Sequence, residues 1–198
     1  MKKILFAAIA AALCVSFATA QNNPQQSRRS DRKIIELTKI IKINPHQEEV
    51  LRLAYERDAK TGDSILFQVQ DPVEAAYLKR NASKELHETL MNTLNDKQRA
   101  EYIRVTSTPE VMEKALAKVE TLKETGNYNT AELDSAQVQI FEYLMLEKTV
   151  YARDKYDYRK QKENIAQLKK KQPVRLKQAE TRDKERVEKK YYQGRTEW

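Results

Sequence analysis

Apart from its charges, this chain holds few side chains able to do chemistry: two histidines, one cysteine, and 37 basic against 29 acidic groups in 198 residues. His46 follows Pro45 and His87 precedes Glu88. Neither has a second histidine three or four residues away, the spacing by which a helix brings two imidazoles onto one metal. Both are expected to be solvated surface residues, with no metal and no cofactor. No pair of carboxylates forms a recognisable acid/base couple, and no serine or lysine falls in a hydrolase motif, so an enzyme is not expected. Binding through charge remains. Lys148, Tyr151, Lys155 and Tyr158 recur at alternating steps of three and four, and Lys169, Lys170 and Lys171 follow. Cations interleaved with aromatics suit an anionic envelope polymer or the acidic stretches of an unfolded chain. In a cytosolic protein the same mixture would point to nucleic acid.

The N-terminus removes that partner. Met1-Lys2-Lys3 is a short positive segment, Ile4 to Phe17 is apolar, and Ala18-Thr19-Ala20 supplies a small-x-small pattern before Gln21. The apolar stretch is shorter than the ~20 residues of a spanning helix. A bacterial export signal cleaved after Ala20 is expected, with the periplasm as destination. Leu13 stands before Cys14, where lipoprotein processing prefers a small residue. Cleavage removes Cys14, so the exported chain has no thiol and is held by packing alone.

Residue spacing shows what must position these groups. A pattern of an apolar residue, Asn or Asp, two variable residues and Gln occurs three times: Ile43 to Gln47, Leu94 to Gln98, and Leu133 to Gln137. Asn44, Asn95 and Asp134 can each accept from free N–H groups of a first helical turn. Gln47, Gln98 and Gln137 can return a bond to the cap's own N–H. Pro45 falls at the first helical position, where its missing N–H costs nothing.

These three segments resemble the LTxxQ motif of small periplasmic Spy/CpxP-type proteins, with Asn or Asp where that family has Thr. The resemblance covers the motifs and the helical layout of residues 31–170. It implies an all-helical fold and membership in a group that includes ATP-independent chaperones, stress-signalling inhibitors and some metal binders. The metal-binding branch has more His, Cys or Met than this chain offers. Skp-type chaperones are also exported, basic and helical, but their trimer core needs strands that this sequence lacks.

The remaining chain reads as helices and breaks. Residues 21–30 are a polar linker expected to be disordered, and Ser30 is expected to cap a helix carrying Ile34, Ile35, Leu37, Ile40 and Ile41. A second helix starts at Pro45. Residues 62–70 fit either helix or strand, and helix is favoured because no second strand is found to pair with them. Asp71-Pro72 opens a third helix, with Leu78, Ala82, Leu86, Leu90 and Leu94 at steps of four. A short helix is expected over 95–105, another from Pro109 to the stop at Gly126, and a long one from Asp134 to about Lys171. Residues 21–147 carry 18 basic and 21 acidic groups, and residues 148–198 carry 17 and 8.

The expectation is therefore an all-α protein: an elongated antiparallel bundle of helical hairpins over 31–147, with a long basic C-terminal helical extension over 148–198. Three glycines exclude a Rossmann crossover, a P-loop and a many-turned sandwich. A thin amphipathic body is expected to pair with a second copy of itself. Expected partners are unfolded or envelope proteins, or anionic envelope polymers. The functional expectation is a chaperone-like or envelope-stress protein. The alternative is a structural or signalling protein docking on one partner through the basic arm.

Overall fold

A computed structural model describes residues 24–193; the expected export signal over 1–20, with Cys14, lies outside them. Among the described residues every regular element is an α-helix: α1 (Pro24–Thr38), α2 (Pro45–Gln68), α3 (Pro72–Thr93), α4 (Asp96–Lys123), α5 (Thr130–Arg153), α6 (Tyr158–Lys169) and α7 (Val174–Gln193). The fold is all-α, and the helices pack on one another. The chain divides into two compact units, one ending at Gln98 and the other starting at Arg99.

In the first unit α1 and α3 both pack on α2. Asn44 and Pro45 start α2, and Asp71 and Pro72 start α3, with the Asp71 side chain accepting from the Val73 N–H at 2.9 Å. Residues 62–68 are helix, as favoured. Gly62 sits in open space there, and Ile65 is buried. Ile34, Leu37 and Ile41 form the buried stripe of α1 and its C-terminal turn, and Leu90, Met91 and Leu94 are buried at the end of α3.

The expected linker over 21–30 is corrected in part, because α1 already begins at Pro24. Ser30 is not its cap. It lies inside the helix, fully buried, with its hydroxyl donating to the Ser27 carbonyl at 2.8 Å and reaching Glu56 at 3.4 Å. The early start has a cause across the helix pair. Gln26 and Arg29 hold the two oxygens of Asp63 on α2 at 3.2 and 3.1 Å, which rewards one more helical turn.

In the second unit the core is Ala115 and Leu122 of α4, Ala136, Ile140 and Tyr143 of α5, and Leu176 and Ala179 of α7. The three alanines let backbones approach closely while leucine, isoleucine and tyrosine fill between them. Gly126, at φ +69°, ends α4 as the sequence implied; a side chain there would be strained.

Other expectations for this unit are overturned. α4 is one helix through Pro109 rather than two. Proline removes one N–H, yet the buried positions Ile103, Ser107, Val111 and Ala115 continue at steps of four across it. The unbroken buried stripe outweighs the lost bond. The helix from Asp134 to Lys171 is instead two: α5 ends at Arg153, and Asp157 caps α6 by accepting from the Lys160 N–H at 3.0 Å.

The basic extension is also corrected in part. Leu176 and Ala179 are fully buried in the core, and Ile165 of α6 is buried. Polar contacts fasten the same strip of α7. Lys118 meets Asp183 at 2.6 Å, and Thr121 donates to the same carboxylate at 3.0 Å. The Arg175 guanidinium lies 4.1 Å from the Tyr128 ring centre, and Arg186 pairs with Glu124. The charges of 174–186 thus lie on a helix packed through Leu176 and Ala179, whereas Val187, Tyr191 and Tyr192 beyond them stay exposed.

The α5–α6 connection is built around Asp154, whose side chain is 2% exposed. Its oxygens accept from Arg153 at 3.0 and 2.8 Å and from Asn164 at 2.7 Å, with Lys160 at 3.7 Å. The Arg153 hydrogen bonds, with Asn164 and the nearby cations, hold this carboxyl below its ordinary value of 3.8 against the opposing effect of burial. Because the folded value is lowered, the stabilisation is full above the ordinary value and is lost as pH falls through the folded one. Asp154→Asn is expected to cost about 1–3 kcal/mol at neutral pH. Its urea midpoint should also vary less than the parent's below pH 4; equal acid sensitivity would disprove the assignment.

Candidate functional site

The first two motifs fold as expected and then join. At the start of α2 the Gln47 N–H donates to Asn44 Oδ1 at 2.8 Å, and the Asn44 N–H donates to Gln47 Oε1 at 3.1 Å. At the start of α4 the Gln98 N–H donates to Asn95 Oδ1 at 3.0 Å, and the Asn95 N–H donates to Gln98 Oε1 at 2.9 Å. The two glutamine carboxamides meet face to face. Gln47 Nε2 donates to Gln98 Oε1 at 2.9 Å and to the Thr93 carbonyl at 2.8 Å. Gln98 Nε2 donates to Gln47 Oε1 at 3.0 Å and to the Lys42 carbonyl at 2.7 Å. Each carbonyl acceptor lies two residues before the other motif's cap, so the arrangement has local two-fold symmetry. Each carboxamide uses both of its N–H donors and accepts two bonds, its full capacity. Only glutamine meets all four demands at this position.

The third motif does not act in this way. Asp134 is exposed inside α5, and Gln137 donates from Nε2 toward Met112 Sδ at 3.7 Å. The cap is Asn129, five residues earlier, in a box with Glu132: both reciprocal bonds measure 2.9 Å. The signal was legible as Asn-x-x-Glu. An acidic third residue also complements the positive end of the helix better than a neutral amide does. Starting at Thr130 also includes Leu133, which packs on the core. Asn44→Ala, Asn95→Ala and Asn129→Ala are each expected to cost about 0.5–2 kcal/mol. Asp134→Ala should stay within about 0.5 kcal/mol. Urea titrations followed by circular dichroism would show the contrast, and an equal loss at Asp134 would contradict this cap assignment.

The cation and tyrosine positions do not form one stripe. Lys148 is bound to Glu110 at 2.5 Å, and Lys114 holds the same carboxylate at 2.8 Å. Those hydrogen bonds, Lys114 first and then Lys148, bring the Glu110 carboxyl down to about 2. Tyr151 is exposed near the end of α5. Lys155 lies in the connection with its ammonium 5.3 Å from the Tyr156 ring centre, and Tyr158 opens α6 exposed. Lys169, Lys170 and Lys171 are exposed at the C-terminal end of α6, where cations complement the helix dipole. Lys169 also acts on Glu147, whose carboxyl burial and Glu180 push up.

A groove of about 510 Å³ on the second unit was not among the expectations. Val138, Phe141, Met145 and Leu146 line it from α5 and Met112 from α4, with Gln137, Arg104 and Glu142 as its polar members. Val138 and Leu146 are 57% and 56% exposed. Steps of three, four and one along α5 put a second apolar stripe beside the Ile140–Tyr143 core stripe, and that doubling was the available sequence signal. Two thioethers beside an aromatic ring give a lining that adapts to differently shaped apolar groups.

His46 is exposed in the first turn of α2, and His87 is half-buried on α3. Among the described residues no three His, Cys, Asp or Glu side chains gather as a metal site. No described helix is long and apolar enough to cross a membrane. These features define a two-unit helical protein with a glutamine clasp in one unit and an adaptable apolar groove in the other. Compared with protein-family models, curated proteins and solved structures, the chain matches none.

Proposed function

We propose that this is an exported periplasmic binding protein that holds unfolded polypeptides without ATP, in the manner of the Spy/CpxP-type proteins its first two motifs resemble. The groove lined by Val138, Phe141, Met145, Leu146 and Met112 carries the reading. An apolar, thioether-bearing surface of this size accepts short hydrophobic segments of many sequences weakly, as a chaperone without an energy source requires. Without Lys2 and Lys3 the exported chain carries 35 basic and 29 acidic groups, a net charge of +6, which supplies long-range attraction for acidic unfolded chains, and salt screens it. The exported chain, freed of Cys14, acts alone or as a pair of copies and needs no cofactor.

The test uses several unrelated proteins diluted from denaturant. Stoichiometric suppression of their aggregation is expected, weaker at high salt. Val138→Asp combined with Leu146→Asp should raise the amount needed about tenfold or more, since it desolvates charge against each apolar client. Both positions are more than half exposed, so the fold should survive. Undiminished protection by this variant would refute the groove as the binding surface. The second reading is docking on an anionic envelope polymer, and the exposed run Lys169 to Lys171 favours it. Retention on such a polymer without aggregation suppression would support that instead.

A further inference from the structure

The end of the α2–α3 hairpin carries a second apolar surface, of the opposite shape. Leu66 and Phe67 in the last turn of α2 are 70% and 80% exposed, and Val73 and Tyr77 at the start of α3 are 75% and 64% exposed. Only Val69, Gln70 and Asp71 separate the two helices, so these four side chains surround one projecting tip. At such exposure they project into solvent instead of lining a cleft, and a flexible client segment would find no walls there.

Charge behind the tip is ordered by depth. Val73, Tyr77, Arg80 and Lys84 are spaced i, i+4, i+7 and i+11, which places them on one face of α3. That face is opposite the half-buried Leu78, Ala82 and Leu86. Arg80 therefore sits about 10 Å along the axis behind Val73, with Tyr77 between. On α2, Lys60 stands seven residues behind Phe67, on the same side. Lys60 and Arg80 take part in no ion pair among the described residues, and Lys84 has only a 3.8 Å contact to Glu88. Of the tip's acids, Asp71 faces the N–H groups that begin α3, and Glu74 lies a quarter-turn round from Val73.

We infer that the α2–α3 tip is a peripheral anchor that dips its Leu66, Phe67, Val73 and Tyr77 side chains into the interface of an anionic lipid bilayer. An interfacial element buries its apolar part about 5–10 Å deep. With Val73 at that depth, Tyr77 lies at the headgroup boundary that aromatic side chains favour, and Arg80 and Lys84 reach the phosphates. The order apolar, aromatic, cationic along one face is the charge complementarity that selects a lipid surface over a second copy, whose own cations would face these. The inference does not depend on the client-binding reading, which uses the other unit.

The test introduces Phe67→Trp together with Trp198→Phe in the full chain, leaving one indole at the tip. Vesicles of phosphatidylethanolamine and phosphatidylglycerol at three to one should shift its emission to the blue, and brominated acyl chains should quench it. In the parent chain, Leu66→Ser with Phe67→Ser should lower partitioning onto these vesicles about tenfold or more, with the circular dichroism spectrum unchanged. Arg80→Glu should lower it on these vesicles but not on phosphatidylcholine. The inference fails if the indole emission ignores vesicles. It fails equally if the shift instead tracks protein concentration without lipid, which marks a second copy, or appears only with an unfolded protein.

Discussion

Gln47→Glu is expected to cost about 1–3 kcal/mol at neutral pH, although it changes a single atom and leaves the capping box intact. A glutamate oxygen still accepts from the Asn44 N–H, and its own N–H still donates to Asn44. What it loses is both Nε2 bonds, to the Thr93 carbonyl and to Gln98 Oε1. A carboxylate oxygen would then face two acceptors. The arrangement raises the folded-state pKa of the new carboxyl above its unfolded value of ~4.3. Stability relative to the parent is therefore best below that value, where the protonated group can donate, and is lost as pH rises through the folded one. Gln98→Glu should behave alike because the clasp is symmetric. The double variant sets two carboxylates at hydrogen-bond distance and should lose more than the sum of the singles at neutral pH. Urea titrations at pH 7 and pH 4 measure this. A pH-independent loss, or no loss, would mean that the cross-bonds carry no net stability. Gln137→Glu is the control, since Gln137 belongs to no box.

Leu176→Ala is the second large effect, at about 2–5 kcal/mol. Leu176 is fully buried among Ala115, Leu122, Ile140 and Tyr143, and truncating it opens a cavity against helices already held close by alanines. Val187→Ala on the same helix should change little, because Val187 is 68% exposed. The pair separates two arrangements of the basic segment. A solvated extension would tolerate both substitutions; a packed helix is hurt only by the first. Hydrogen exchange should show the same thing locally, with amides of α4 and α5 near Ala115 and Ile140 losing protection along with those of α7.

The helical character, the stop at Gly126 and the starts at Asn44, Asp71 and Asn95 were legible because each depends on residues within one turn of one another. A side-chain oxygen bonding an N–H two or three residues on needs no tertiary partner. The same locality misled at Leu133 to Gln137. Two caps five residues apart were both chemically sound, and the acidic box at Asn129 together with the burial of Leu133 decided between them. Pro109 and Ser30 were misread because their local preferences were outweighed: one by a buried stripe running past it, the other by ion-pair and amide contacts to Asp63 on a neighbouring helix.

Propensity, capping and charge are short-range properties, and they suffice to make this protein a set of capped helices with a basic C-terminal quarter. Packing in three dimensions set the rest: the basic quarter inserts Leu176 and Ala179 into the core of α4 and α5, two capping glutamines become each other's partners across 51 residues, and α5 presents a second apolar stripe as a groove. Those outcomes depend on which surfaces approach one another in space, and hydrophobic burial, being non-directional, leaves no one-dimensional mark of that choice.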